Sequence, residues 1–189
     1  MAALLLSFGV IFIAELGDKS QLMALAFATR YRPGPVLLGI TIATAIVHLG
    51  SVALGAAFAT ALPTRAIGIG AGVAFLGFAA WTIRGDRLTE EERERVAQPA
   101  RNVVLAVGTA FFLAELGDKT MIATVTLAAS EDALGTWIGS TLGMVAADAL
   151  AIVVGRILGR RLPERAISRF AAASFVVFGV AMIVGALRG

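Results

Sequence analysis

Six apolar segments run along the chain, and short polar stretches separate them. The segments cover residues at about 3–28, 36–60, 66–83, 103–128, 134–157 and 168–187. A helix rises about 1.5 Å per residue, so a run of roughly 20 apolar residues crosses a hydrocarbon layer about 30 Å thick. The pattern therefore predicts an all-α membrane protein with six transmembrane helices and no soluble domain of useful size.

The polar stretches carry the residues that end helices. Turns are predicted at 30–35, 62–65 and 130–132, and a basic turn is predicted around Pro163, between Arg156 and Arg169. The longest polar stretch, at 84–101, contains Thr89 followed by acids and then by bases, an order typical of a short capped helix. We interpret it as a solvated cytoplasmic linker, because nothing in its sequence supports a regulatory or partner-binding role.

The chain repeats itself at an offset of 100 residues. Residues 12–20 match 112–120 at seven of nine positions, and 62–67 match 162–167 at five of six. We therefore expect a first repeat at 1–86, the linker at 87–101 and a second repeat at 102–189. Each repeat holds three spans, an odd number, so the second enters the membrane from the opposite side. Such inverted repeats are typical of transporters that bind their substrate between the repeats, near the midplane.

Composition and charge agree with a membrane protein. Hydrophobic residues make up 58% of the chain and charged residues only 15%, whereas soluble domains carry about 25% charged residues. Arginines after spans one, three and five outnumber those on the other side by twelve (Arg30, Arg32, Arg84, Arg87, Arg93, Arg95, Arg101, Arg156, Arg160, Arg161, Arg165, Arg169) to two (Arg65, Arg188). The positive-inside rule then places the arginine-rich side in the cytoplasm and both termini outside. This topology explains the basic charge without nucleic acid, and the absence of cysteine excludes thiolate metal sites.

A charged motif interrupts the first and the fourth apolar segment. Its two copies read Glu15-Leu16-Gly17-Asp18-Lys19-Ser20 and Glu115-Leu116-Gly117-Asp118-Lys119-Thr120. Glu15 lies roughly 18 Å along its span, near the membrane midplane. An ionised residue at that depth costs roughly 2.5–3.5 kcal/mol, so six of them require compensation.

The spacing of the acids predicts a metal site. On a continuous helix, Glu and Asp at i and i+3, and Lys at i+4, share one face. The inverted repeat would then bring four carboxylates together, those of Glu15, Asp18, Glu115 and Asp118. Convergent hard oxygen ligands suit Ca²⁺, Mn²⁺ or Mg²⁺. The same carboxylates bind protons, so a cation and protons would compete for one site.

Neighbouring residues are expected to support this site. Lys19 and Lys119 would offset part of the negative charge, and neutral oxygens would come from Ser20, Gln21 and Thr120. A plain ion pair between Glu15 and Lys19 within one helix is the structural alternative. Its recurrence at two equivalent positions argues against it.

Two further pairs of residues are singled out by the repeat. Gly17 and Gly117 either break their helices, which frees carbonyl groups, or act as small packing residues. His48 and Asp148 occupy equivalent positions in spans two and five, and both are candidates for a proton relay.

The doubled motif, on spans one and four of a six-span chain, resembles the calcium/manganese–proton exchanger family, which includes transmembrane protein 165 and bacterial manganese exporters. The resemblance covers the whole chain. It implies cation/proton antiport, with the four motif acids as cation ligands and with no cofactor besides the transported Mn²⁺ or Ca²⁺. No long N-terminal extension precedes the first span, so we expect the plasma (inner) membrane of a bacterium rather than an organelle. Gln21 stands where the second copy has Met121, which predicts unequal half-sites.

Two other functions are weighed against this one. An exporter of a small organic cation, such as a basic amino acid, could use the acids to bind an ammonium group, but the residues available for an aromatic cage, Trp81, Trp137 and Tyr31, do not lie near the motifs in sequence. An intramembrane enzyme acting on lipid headgroups would need arginines beside the acids, whereas the arginines lie in loops. We therefore expect a transporter and no enzyme, with divalent cations, protons and the lipid bilayer as its partners. The sequence leaves a monomer and a homo-oligomer open.

Overall fold

The computed structural model describes residues 1–84, 88–158 and 164–188, and every regular element in these ranges is a helix. The predicted all-α fold class is confirmed in that respect. The helices are α1 (Ala2–Glu15), α2 (Lys19–Arg30), α3 (Pro33–Ala61), α4 (Thr64–Arg84), α5 (Glu90–Ala97), α6 (Val103–Glu115), α7 (Lys119–Ser130), α8 (Ala133–Leu158) and α9 (Glu164–Arg188).

Four of the described helices are long and apolar enough to cross a membrane. They lie at Pro33–Ala61, Thr64–Arg84, Ala133–Ile157 and Ala166–Arg188. Large apolar side chains on their outer faces, such as Leu38, Ile42 and Ile46 on α3, are exposed. Lipid is the environment in which such faces are stable.

The first and fourth apolar segments are not continuous helices. The segment predicted at 3–28 consists of α1 and α2, and the segment at 103–128 consists of α6 and α7. The prediction that Glu, Asp and Lys of each motif share one helix face is therefore wrong. The alternative that glycine breaks the helix is confirmed, because Gly17 and Gly117 have φ angles of 79° and 80°, in a region that other residues rarely enter.

The predicted turns agree with the helix ends where the structure describes them. α2 ends at Arg30 and α3 begins at Pro33, and the next turn falls between Ala61 and Thr64. α7 ends at Ser130, at the third predicted turn. The predicted repeat boundary at 86–87 and the turn around Pro163 lie outside the described residues.

The helix boundaries recur at the same offset as the sequence. Equivalent helices begin in pairs at Lys19 and Lys119, at Pro33 and Ala133, and at Thr64 and Glu164. The two copies do not form separate bodies, because each helix packs chiefly on helices of the other copy: α1 on α8, α3 on α6 and α7, and α4 on α9.

Glycine allows these helices to pack at backbone distance. A Cβ atom at Gly139 of α8 would lie 2.2 Å from the carbonyl oxygen of Leu4, and one at Gly143 would lie 2.6 Å from that of Phe8, both on α1. A Cβ atom at Gly39, the equivalent of Gly139, would likewise lie 2.8 Å from the carbonyl oxygen of Val104 on α6. Gly135, Gly139 and Gly143, spaced four residues apart, thus form a seam of small residues along α8 that packs on α1. The seam sets the distance between α1 and α8, and thereby the position of Glu15 at the end of α1.

The linker contains a helix with the predicted cap. The side chain of Thr89 accepts a hydrogen bond from the backbone of Glu92, and the Glu92 side chain accepts one from the backbone of Thr89. This helix, α5, is not wholly solvated, because Glu92 and Val96 are buried. Burial of α5 against its neighbours could not be inferred from a local charge pattern.

The glycine seam gives a test of the packing. Replacing Gly139 by Ala forces a backbone shift, and we expect a loss of about 1–3 kcal/mol in stability. Gly50 is the matched control, because it is also helical but has nothing within 4 Å of a built Cβ atom. There, Ala should be neutral or should stabilise by up to about 1 kcal/mol. Thermal unfolding of both variants in detergent measures the difference, and equal stabilities would contradict the seam.

Candidate cation-binding site

Each motif forms a short non-helical link between two helix ends. In the first copy α1 ends at Glu15, Leu16 is extended, Gly17 has positive φ, and Asp18 is the N-cap of α2. The second copy repeats this geometry at Glu115, Leu116, Gly117 and Asp118. The acids thus sit at helix ends, where unpaired backbone groups add partial charges to the site.

Three carboxylates from the two copies meet. Glu15, Glu115 and Asp118 each offer a carboxylate oxygen, and these oxygens all lie within 4.8 Å of one another. All three residues are buried, with 0% exposure for both glutamates. Such a cluster of like charges is stable only with protons or a cation to compensate it.

Hydroxyl groups of the motifs bind the same carboxylates. Ser20 donates a hydrogen bond to Glu15 and lies 3.3 Å from Oδ2 of Asp18. Thr120 donates to Oε2 of Glu115 at 2.9 Å. The other oxygen of each glutamate, Oε1, is buried and accepts no hydrogen bond from the residues that the structure describes. Two strong acceptors are therefore left for a ligand in the interior.

The fourth predicted ligand, Asp18, forms an ion pair with the other copy. Nζ of Lys119 donates to Oδ1 of Asp18, and both side chains are buried. Lys119 was expected to offset charge at the site, and it lies there. Lys19 has a different partner, since its Nζ lies 3.3 Å from Oε1 of Glu92 on α5. The sequence did not predict Glu92 as a partner of Lys19, because Glu92 lies 73 positions further along the chain, in a stretch whose charges balance locally.

Gln21 and Met121 restrain their links differently. Oε1 of Gln21 accepts a hydrogen bond from the backbone N–H of Gly17, and its Nε2 donates to the carbonyl oxygen of Ala147 on α8. Met121 accepts from the backbone N–H of Gly117 through its sulfur atom at 3.2 Å. The first link is thus tied to α8 through an amide, and a thioether cannot donate the equivalent bond.

His48 and Asp148, the candidate proton relay, are both fully buried. Asp148 lies near enough to Glu15 for their carboxyl groups to interact electrostatically. Neither carboxylate oxygen of Asp148 and neither ring nitrogen of His48 has a hydrogen-bond partner in the described ranges. Asp148 thus lies within electrostatic range of Glu15, and no described contact joins His48 to the acids.

The aromatic residues that could enclose an organic cation are used elsewhere. Trp137 donates to the carbonyl oxygen of Ala45, and Tyr31 accepts from the backbone of Ala100. Trp81 is exposed, at 39% of its surface. None of the three supports an aromatic cage at the motifs.

Comparison with known proteins identifies a family. The family described as divalent cation/proton antiporter GDT1 matches residues 3–90 and 103–189. A putative manganese exporter of Vibrio cholerae is 36% identical over 96% of this chain and 90% of its own length. A GDT1-like protein of Synechocystis is 31% identical over 90% of this chain and 91% of its own. The chloroplastic GDT1-like protein 2 of rice is 31% identical over 95% of this chain, which spans 60% of that protein.

No solved structure matches the chain. The family match covers both halves, including both motifs, and it describes transporters rather than catalysts of a chemical reaction. The chain therefore belongs to the GDT1 family of divalent cation/proton antiporters.

Proposed function

We propose that this chain exports Mn²⁺ from the cytoplasm in exchange for protons, with Ca²⁺ as the second candidate ion. The cation would bind between the two motifs, on Glu15, Asp18, Glu115 and Asp118. The observation that carries this assignment is the cluster of three buried carboxylate oxygens, contributed by both copies and lying within 4.8 Å of one another.

The size of the cluster suits a divalent cation. Ca²⁺ binds oxygens at roughly 2.3–2.6 Å, so two ligands on opposite sides of the ion lie about 4.6–5.2 Å apart. The oxygens of the cluster fall inside this limit. The four motif carboxylates carry four negative charges and Lys119, which pairs with Asp18 at the site, carries one positive charge, so a dication would offset most of the remaining negative charge.

Antiport follows if protons use the same oxygens as the cation. The carboxylates would release protons when the ion binds and take them up when it leaves. Oε1 of Glu15 and Oε1 of Glu115 are the groups best suited to both tasks. Asp148, within electrostatic range of Glu15, is the stronger candidate for passing protons to the site, and His48 is retained as the weaker one.

We propose six spans for the membrane arrangement. α1 with α2, and α6 with α7, would each cross as an interrupted span, in two inverted repeats at 1–86 and 102–189 joined by the linker at 87–101. The breaks then lie at the depth where such transporters bind their substrates. The arginine-rich side would face the cytoplasm and both termini the outside, in the inner membrane of a bacterium.

Manganese is preferred over calcium on the strength of one relative. The Vibrio cholerae protein, described as a putative manganese exporter, is 36% identical to this chain. The oxygen ligands themselves suit both ions. The alternative of an organic cation gains no support, since none of the candidate aromatic residues lies at the site.

Removing one site carboxylate should stop exchange. We expect Glu15→Gln and Glu115→Gln each to lower Mn²⁺-driven proton flux by at least about tenfold. The assay is purified protein in liposomes with a Mn²⁺-quenched dye and a pH dye. Glu90→Gln is the matched control, since this carboxylate lies on the exposed face of α5, and it should transport normally. Unchanged flux in both site variants would exclude the proposed site.

The ion preference can be read from competition. Mn²⁺ should drive proton flux, Ca²⁺ should compete with it, and free lysine at the same concentration should not. An oxygen site that requires a dication explains this order. Flux that is driven by lysine and indifferent to Mn²⁺ would favour the organic-cation alternative instead.

Labelling of introduced cysteines tests the six spans, because the chain has no cysteine of its own. If α6 and α7 cross as one interrupted span, Ser130→Cys, at the end of α7, and Glu90→Cys, in α5, lie on opposite sides. An impermeant maleimide on intact cells should then label the first and not the second. Equal labelling of both would show that α6 and α7 do not cross.

A further inference from the structure

The linker helix α5 is fastened to α2, the helix that begins with the first motif's lysine. Nη1 of Arg30, at the end of α2, donates to the carbonyl oxygen of Val96 at 2.7 Å. Val96 itself is buried in one apolar cluster with Met23 and Phe27 of α2. A solvated linker would make no such contacts, so α5 is part of the folded core on the arginine-rich side.

Glu92 is the residue of α5 that reaches the motif. Its Oε2 accepts from the backbone N–H of Thr89 at 2.8 Å, and its Oε1 faces Nζ of Lys19 at 3.3 Å. Burial raises the pKa of Glu92, but the hydrogen bond from Thr89 and the charge of Lys19 outweigh it, so the pKa is lowered. Glu92 therefore stays ionised at neutral pH, with both oxygens engaged.

The two motif lysines are equivalent in sequence but not in surroundings. Lys119 is paired with Asp18 of the other copy, and its side chain is 2% exposed. Lys19 is paired with Glu92 and is 20% exposed. Lys19 also lies within electrostatic range of Asp118, which is the equivalent of Asp18. Three acids thus act on one ammonium group, namely Asp118, Glu92 and Asp18, and Glu92 is the one that belongs to the linker.

We propose that Glu92 is a positioning residue for transport, which shares the ammonium group of Lys19 with the motif acids and so weakens its hold on them. The inference rests on the proposed cation site, because Glu92 would act on the affinity of that site for the cation. With Lys19 paired to Glu92 on α5, it competes less strongly than Lys119 does with a dication for the motif acids. Without the charge of Glu92, Lys19 is drawn towards the acids and competes with the ion.

The substitution Glu92→Gln tests this role separately from the part that Glu92 plays in the helix cap. Gln at the third helical position still accepts the hydrogen bond from Thr89, so the cap is kept while the charge is lost. We expect the apparent KM for Mn²⁺ to rise about three- to tenfold at an unchanged maximal rate. Glu91→Gln, on the same helix and exposed, should leave both parameters as they are. A merely structural role would lower the maximal rate and leave KM alone, and that result would overturn the inference.

A double substitution tests whether Glu92 acts through Lys19. In Lys19→Met, the further change Glu92→Gln should no longer alter the Kd for Mn²⁺, because the group that Glu92 holds is gone. The Kd is measured by titration calorimetry on purified protein. An equal loss of affinity in the presence and absence of Lys19 would show that Glu92 acts by another route.

A transport-independent measurement separates this inference from the proposed function. Val96→Cys places a thiol under α5, where Val96 is 6% exposed. Its modification by a maleimide should speed up about three- to tenfold when Glu92→Gln is added and should not respond to Glu91→Gln. An unchanged rate would overturn the role of Glu92. Failure of the unaltered chain to exchange Mn²⁺ for protons would count against the proposed function alone.

Discussion

The buried ion pair between Lys119 and Asp18 is the interaction that joins the two halves of the site. A charge in an apolar interior is tolerated only when it is paired, and losing one partner of such a pair is strongly destabilising. Here each copy of the motif supplies one partner. The pair therefore fixes the second copy against the first at the point where Glu15, Glu115 and Asp118 converge.

Close approach of helix backbones accompanies that pair. In lipid, helices gain little from hydrophobic burial, so their association depends on packing and on hydrogen bonds. Gly139 lets α8 lie against the backbone of α1, and Gly39 lets α3 lie against that of α6. The two helices so held are those that end at Glu15 and Glu115. Close packing at a distance from the motif thus sets the separation of the carboxylates.

Sequence reasoning reached the helical class and the described turns, because each follows from a local pattern, and the structure brings three of the four acids that the repeat predicted to converge within 4.8 Å of one another. It failed on the backbone of the motifs, where a continuous helix was assumed and a glycine of positive φ stands instead. It also missed Glu92, since the contact with Lys19 joins residues 73 positions apart. The order of cap, acids and bases predicted that α5 is a helix. Only the packing of Val96 with Met23 and Phe27 shows that this helix covers α2.

The two copies of the motif are restrained to different degrees. A Cβ atom at Gly17 would lie 3.2 Å from a methyl group of Ile167, whereas one at Gly117 would have nothing within 4 Å. Gln21 ties the first link to α8, and Met121 has no group that could donate such a bond. A transporter built from inverted repeats is asymmetric in any single state. The difference between Gln21 and Met121, however, is a difference of sequence, so it is present in every conformational state of the transporter. Moving the first link therefore breaks an amide hydrogen bond that the second never makes, so equivalent movements of the two halves differ in energy.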